Sequence, residues 1–173
     1  MAVKTLNETL SHQSRTESVR GRLTKLFVTF VSLVYNNLMH RLYQKADELS
    51  RVAIGAAIEV HRWKGPGLIE SIYERCLVRE LELRKIGAVN QRVVRIEYKG
   101  LVFDEPLRFD VLIEGCLLLE LKCVQEVLAI HKAQLLSYMK LLDIPVGLII
   151  NFHEMKLTEG IARMILPGAN REA

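Results

Sequence analysis

The apolar positions of this chain change period as they are followed from one end to the other, and each change marks a new element. Residues 46–63, "ADELSRVAIGAAIEVHRW", place Val52, Ala56, Val60 and Trp63 at helical spacing, and Gly65-Pro66-Gly67 stops the run. Trp63 is expected in the core, because a tryptophan there buries a large area. Residues 68–86 predict a second helix, with Ile69, Ile72, Leu77, Leu81 and Leu83 as its apolar positions and Gly87 at C′. Three strand-like runs follow: "QRVVRIEYKG" and "LRFDVLI", which alternate, and "CLLLELKCV", which is densely apolar. Helix returns over 129–142 and is stopped by Pro145. "VGLIINF", 146–152, reads as a buried strand and 156–165 as a short closing helix. The pattern predicts a mixed α/β domain with an antiparallel central hairpin, whose last strand joins by a crossover helix.

Polar residues that interrupt apolar runs carry the chemistry. In "RFDVLIEGCLLLELKCV" these are Asp110, Glu120 and Lys122. Glu120 and Lys122 are two apart on a strand and share a face, while Leu119 and Leu121 face the other way. Asp110 lies opposite Glu120 only if the hairpin loop has an odd length. A two-residue Glu114-Gly115 turn would pair Asp110 with Leu119 and separate the acids. We expect the three-residue loop Glu114-Gly115-Cys116.

Two carboxylates 4 Å apart repel by roughly 4 kcal/mol at an effective dielectric of 20. Lys122 offsets one charge. Glu70, in the first turn of the second helix and among inward-facing neighbours, would add a third acid. A divalent cation resolves the excess, and an oxygen-only ligand set with open positions suits Mg²⁺ or Mn²⁺. Such a cation would polarise a phosphodiester and acidify a water, with Lys122 orienting that water or stabilising developing charge. The residues by themselves equally allow a Glu120–Lys122 ion pair on a solvated face. Gln134 and Tyr138, four apart on the next helix, share a face that can lie beside the carboxylates.

Composition narrows the setting. Half of the 173 residues are hydrophobic and a quarter charged, which fits one globular domain. Cys76, Cys116 and Cys123 are odd in number and lack metal-type spacing; they read as reduced thiols in a cytoplasmic protein. Residues 1–65 carry ten Lys/Arg against five Asp/Glu, whereas 66–173 carry fourteen against fifteen. The body therefore lacks the broad basic surface of a nonspecific duplex binder. The apolar run "LFVTFVSLVY", 26–35, is too short to cross a bilayer. We expect residues 1–38 to be an N-terminal extension, with Met39 as an alternative start and 39–173 as the domain.

The ordered set Glu70, Asp110, Glu120-Leu-Lys122 and Gln134-x-x-x-Tyr138 resembles the PD-(D/E)XK nuclease superfamily, in particular its RecB-like branch. Closer still is the likeness to the small GxxExxY proteins of that superfamily. Their naming motif stands here as Gly67-Leu-Ile-Glu70-Ser-Ile-Tyr73, and "FDVLIEGCLLLELK", "HKAQLLSYMKL" and "GLIINF" follow in the same order. Phe109 stands where the superfamily's name has proline. The resemblance covers about 42–166 and implies a restriction-endonuclease-like αβββαβ core, a central mixed sheet flanked by helices. It also implies a nuclease that cleaves DNA with Mg²⁺ or Mn²⁺, or a non-catalytic nucleic-acid-binding or assembly module. In its terms Asp110, Glu120 and Glu70 are metal ligands and Lys122 is the catalytic lysine. Gln134, Tyr138 and Tyr73 are supporting residues. The lack of a broad basic surface is compatible with a homodimer or a protein partner that completes the groove.

Overall fold

The computed structural model describes residues 42–90 and 92–170. The expected extension over 1–38, and the apolar run within it, lie outside the described residues.

Helix α1 occupies 42–64 among the described residues and buries Ala46, Leu49, Ala53, Ala56, Ala57 and Val60 along one stripe. The predicted face is correct at Ala56 and Val60 but rotated at its end, because Trp63 is exposed. Four of the stripe's six residues are alanines, which let a helix approach a sheet closely and need no large partner. Helix α2, Glu70–Leu83, is shorter than the expected 68–86 and buries Tyr73, Leu77 and Leu81; Ile69 and Leu83 face solvent. It ends through Lys85 in the left-handed region, with the Ile86 N–H bonded to the Leu81 carbonyl at 3.0 Å. Gly87, expected to be that terminator, instead brings its N–H to Glu114 Oε1 at 2.9 Å.

The strands are β1 (Ala88–Val89), β2 (Arg92–Tyr98), β3 (Leu101–Leu107), β4 (Val111–Ile113), β5 (Leu117–Lys122), β6 (Val146–Asn151) and β7 (Ile161–Ile165). The run expected as one strand over 107–113 is broken at 108–110. Its first part belongs to β3, which pairs with β2 across a two-residue Lys99-Gly100 turn with both residues at positive φ. That hairpin is a sheet of its own. The other five strands form a mixed sheet in the order β1-β4-β5-β6-β7, antiparallel except for the central β5–β6 pair. Helix α3, Ala129–Leu142, makes the parallel crossover and ends through Asp143 in the left-handed region, just ahead of Pro145.

The closing helix expected over 156–165 is a 3₁₀ turn, Leu157–Gly160, followed by β7. Pairing with β7 gives the backbone groups along β6 partners that a helix would leave open, and this outweighs local propensity.

The sheet separates two cores. On one face α1 and α2 pack on Val111, Ile113, Leu117, Leu119, Leu121, Val146, Leu148 and Ile150. On the other, Leu135 and Met139 of α3 pack on Leu112, Leu118 and Ile149. Gly147 permits that contact, since a Cβ there would lie 2.6 Å from Met139 Sδ. This is a restriction-endonuclease-like α/β architecture, a five-stranded mixed sheet flanked by helices.

Candidate metal-dependent nuclease site

The β4–β5 register decides whether the acids meet. Val111 pairs with Leu119, Leu112 with Leu118 and Ile113 with Leu117, leaving the three-residue loop 114–116. Glu114 and Gly115 take positive φ there, and the Cys116 N–H closes on the Ile113 carbonyl at 3.0 Å. Carried one step beyond Val111–Leu119, this register sets Asp110 against Glu120, and the charges of the two act on each other. Asp110 Oδ2 accepts the Leu121 N–H at 2.6 Å, a bond across the hairpin that fixes the carboxylate next to β5.

Glu120 and Lys122 lie on the α3 face of β5, past the end of the apolar patch formed around Leu118. Lys122 Nζ donates to Glu120 Oε1 at 2.7 Å. Glu120 is only 2 % exposed, and its Oε2 is buried with no hydrogen-bond partner among the described residues. A buried acceptor left open in this way costs about 1–3 kcal/mol, more when it carries charge. It is the feature of this structure that asks for a cation.

The electrostatics agree. Burial pushes the Asp110 carboxyl up from its ordinary 3.8 to about 7, with the charges of Glu120 and Glu70 adding to the rise; the Leu121 N–H and Lys122 act against it. Burial also raises Glu120, opposed by its bond to Lys122. Each carboxylate is thus penalised in its charged form until more positive charge arrives. Lys122 shifts up: desolvation works to lower it, but the bond to Glu120 and the charges of Glu120, Glu70 and Asp110 prevail. The carboxylates around it therefore favour its charged, ammonium form.

Glu70 opens α2, half-buried, and its charge acts on Asp110, Glu120, Lys122 and Cys123. The loop before it explains the spacing of its motif. Gly67 sits at φ +100°, a conformation that a side chain would strain. Tyr73 is fully buried, stacks on Phe152 at 4.3 Å, donates its hydroxyl to the Gly65 carbonyl and accepts the Leu68 N–H at 3.2 Å. The tyrosine braces the loop that presents the glutamate.

Gln134 Nε2 donates to Tyr138 Oη at 3.3 Å, and among the described residues neither side chain bonds to Asp110, Glu120 or Lys122. His131 caps its own helix by accepting the Leu128 N–H at 3.1 Å. Asn151 is a component that the sequence pattern concealed inside an apolar strand. It is buried, takes the Val124 N–H on Oδ1 at 3.1 Å and donates Nδ2 to the Val124 carbonyl at 2.7 Å. With the Phe152 N–H bonded to the Lys122 carbonyl at 2.7 Å, it holds the end of β5 against β6. A lone amide at the end of a densely apolar run is the signal that could have found it.

Among the described residues no group of three or more His, Cys, Asp or Glu side chains is gathered closely enough to hold a metal. The residues that could hold a cation are Asp110 and Glu120, each of which feels the charge of Glu70. That suits a hard cation that keeps several waters and takes one or two protein carboxylates. Cys123, near Glu70, is pushed up to about 11, chiefly by burial and further by the charge of Glu70.

Residues 47–164 match the PD-(D/E)XK nuclease superfamily. The chain belongs to that superfamily. PD-(D/E)XK nucleases generally use divalent metals, in keeping with the open carboxylate oxygen described above. No curated protein is significantly similar to the chain. A solved structure described as "Crystal structure of SSO0001" is 19% identical with a TM-score of 0.43, a likeness too loose to inform the site. It covers 76% of this chain, which in turn spans 64% of that one. No described helix is long and apolar enough to cross a membrane.

Proposed function

We propose that this PD-(D/E)XK protein is a Mg²⁺- or Mn²⁺-dependent nuclease that cleaves phosphodiester bonds in DNA, and that within the superfamily it is a GxxExxY protein of the RecB-like branch. The observation that carries the reading is the open, buried Glu120 Oε2, on the face shared with Asp110 and one bond from the Lys122 ammonium. Asp110 and Glu120 are the ligands in this reading, with Glu70 contacting the ion directly or through water. Bound there, the cation supplies Lewis-acid polarisation of the phosphate and a more acidic water. Lys122, held as an ammonium, places positive charge where the phosphate gains negative charge. Asp110, fixed by the Leu121 N–H, and Glu120, fixed by Lys122, hold their oxygens with little freedom to lose on binding. Tyr73 keeps the Glu70 loop in place, and in this reading Gln134 and Tyr138 support the site by contacting a phosphate.

The test is cleavage of labelled single-stranded, duplex and flapped DNA with Mg²⁺ or Mn²⁺. Activity abolished by EDTA and by Lys122→Ala supports the reading; metal-independent activity, or activity kept in Lys122→Ala, refutes it. A second reading, a nucleic-acid-binding or assembly module without catalysis, is favoured by the lack of a three-ligand cluster among the described residues. Binding without cleavage under any divalent metal would select it.

A further inference from the structure

Beside the loop that leads to Glu70, a cleft of about 430 Å³ runs between the end of α1 and the outer face of α2. Ile72 and Cys76 give it an apolar lining, and Trp63 stands in it 78% exposed. Tryptophan normally buries most of its area, so one held in water needs a reason. The indole N–H donates to Glu59 Oε1 at 2.9 Å, one turn back, which anchors the side chain while most of it stays open to solvent.

The charges around it are unequal. Glu59 also accepts from Arg62 at 3.2 Å, and Glu80 accepts from Arg84 at 2.8 Å, so both acids lining the cleft are already matched. Lys64 and Arg75 make no ion pair among the described residues, and Arg79 has only a solvent-exposed one with Glu82. Exposed pairs of that kind contribute about 0–1 kcal/mol and yield readily to a stronger anion. Ile72, Arg75, Cys76 and Arg79 follow one another at helical spacing along a single side of α2.

We propose that this cleft binds single-stranded nucleic acid, with a base stacked on Trp63 and the flanking phosphates on Lys64, Arg75 and Arg79. An anionic backbone with flat apolar bases matches a cationic, apolar groove bearing one open indole. A duplex does not, because its base faces are covered by their neighbours. The occupancy also fits a body without broad basic charge, since a strand in a cleft needs only local cations. The inference rests on the nuclease reading in one respect: Trp63 and Lys64 end α1 directly before the loop that presents Glu70, and in that reading the strand held here is the substrate of the carboxylates.

Trp63 is the chain's one tryptophan, so its emission reports the cleft directly. The full chain, in EDTA so that nothing is cleaved, is titrated with a single-stranded oligonucleotide of about 15 nucleotides and with a blunt hairpin duplex. Quenching by the single strand and not by the duplex is expected. Trp63→Ala should weaken single-strand binding about 5- to 150-fold and Trp63→Phe much less. Arg75→Ala should lower the salt dependence by about one ion. Unchanged affinity in Trp63→Ala, absence of quenching, or no single-strand binding at all overturns the proposal. So does a Trp63→Ala change confined to sedimentation, which would make the cleft an interface between copies. The two readings fail separately. Quenching without metal-dependent cleavage by the wild type would remove the nuclease and keep the cleft; cleavage with unaltered binding in Trp63→Ala would remove the cleft alone.

Discussion

The two faces of β5 meet opposite fates. Leu117, Leu119 and Leu121 point into a core closed by α1 and α2, and all three are fully buried. On the reverse, Leu118 is closed by α3, but the next two positions are Glu120 and Lys122, and an acceptor there is left open. Backbone and strand are the same. The difference is that the first face gains from excluding water, whereas the second pays for it in the charged forms of its acids. A strand can thus be rigid because of one face and reactive because of the other.

That contrast is open to test. Leu119→Ala removes packing from the closed face and should destabilise the protein by about 2–5 kcal/mol in urea unfolding. A loss below 1 kcal/mol would show that this face is not the stabilising one. The double change Glu120→Met with Lys122→Met should leave stability unchanged or raise it by about 1–4 kcal/mol while abolishing cleavage. A large destabilisation there would make the pair structural.

The sign of the pH effect sharpens the comparison further. Asp110 is raised in the folded state from 3.8 to about 7, so the native protein holds this proton more tightly than the unfolded chain does. Its contribution is fully present below about pH 4 and is lost as pH rises through about 7. In metal-free protein, the unfolding midpoint of the wild type should therefore fall relative to that of Asp110→Asn across this window. Mg²⁺ should raise the wild-type midpoint near neutral pH and leave Asp110→Asn nearly unmoved. Equal profiles for the two proteins would remove the case for a strained carboxylate. At the small end, Arg79→Ala breaks only an exposed pair and should change stability by less than about 0.5 kcal/mol.

Much of this was legible beforehand, for local reasons. The period of two across Leu119-Glu120-Leu121-Lys122 set which residues share a face, whatever surrounds them. The odd loop Glu114-Gly115-Cys116 followed from asking which register joins Asp110 to Glu120, and the ladder has that register. Helix α3 has the predicted bounds because its apolar run, its length and Pro145 agree. Errors fell where local signals were weak. Trp63 looked like core by its helical spacing and its size, yet the stripe of α1 is turned toward Ala53 and Ala57. Lys85, rather than Gly87, ends α2, because Gly87 was taken up by Glu114.

What the sequence determined by itself was therefore the alternation along β5, the bounds of α3 and the inventory of acids beside a lysine, since each depends on covalent neighbours. What only the tertiary structure decided were the partners. The 161–165 segment became a strand because β6 offered it an unpaired edge, and Asn151 became a clamp because the chain at Val124 came alongside it. The open oxygen of Glu120 belongs to the same class. Desolvation depends on everything packed around an atom, and no stretch of sequence contains that information.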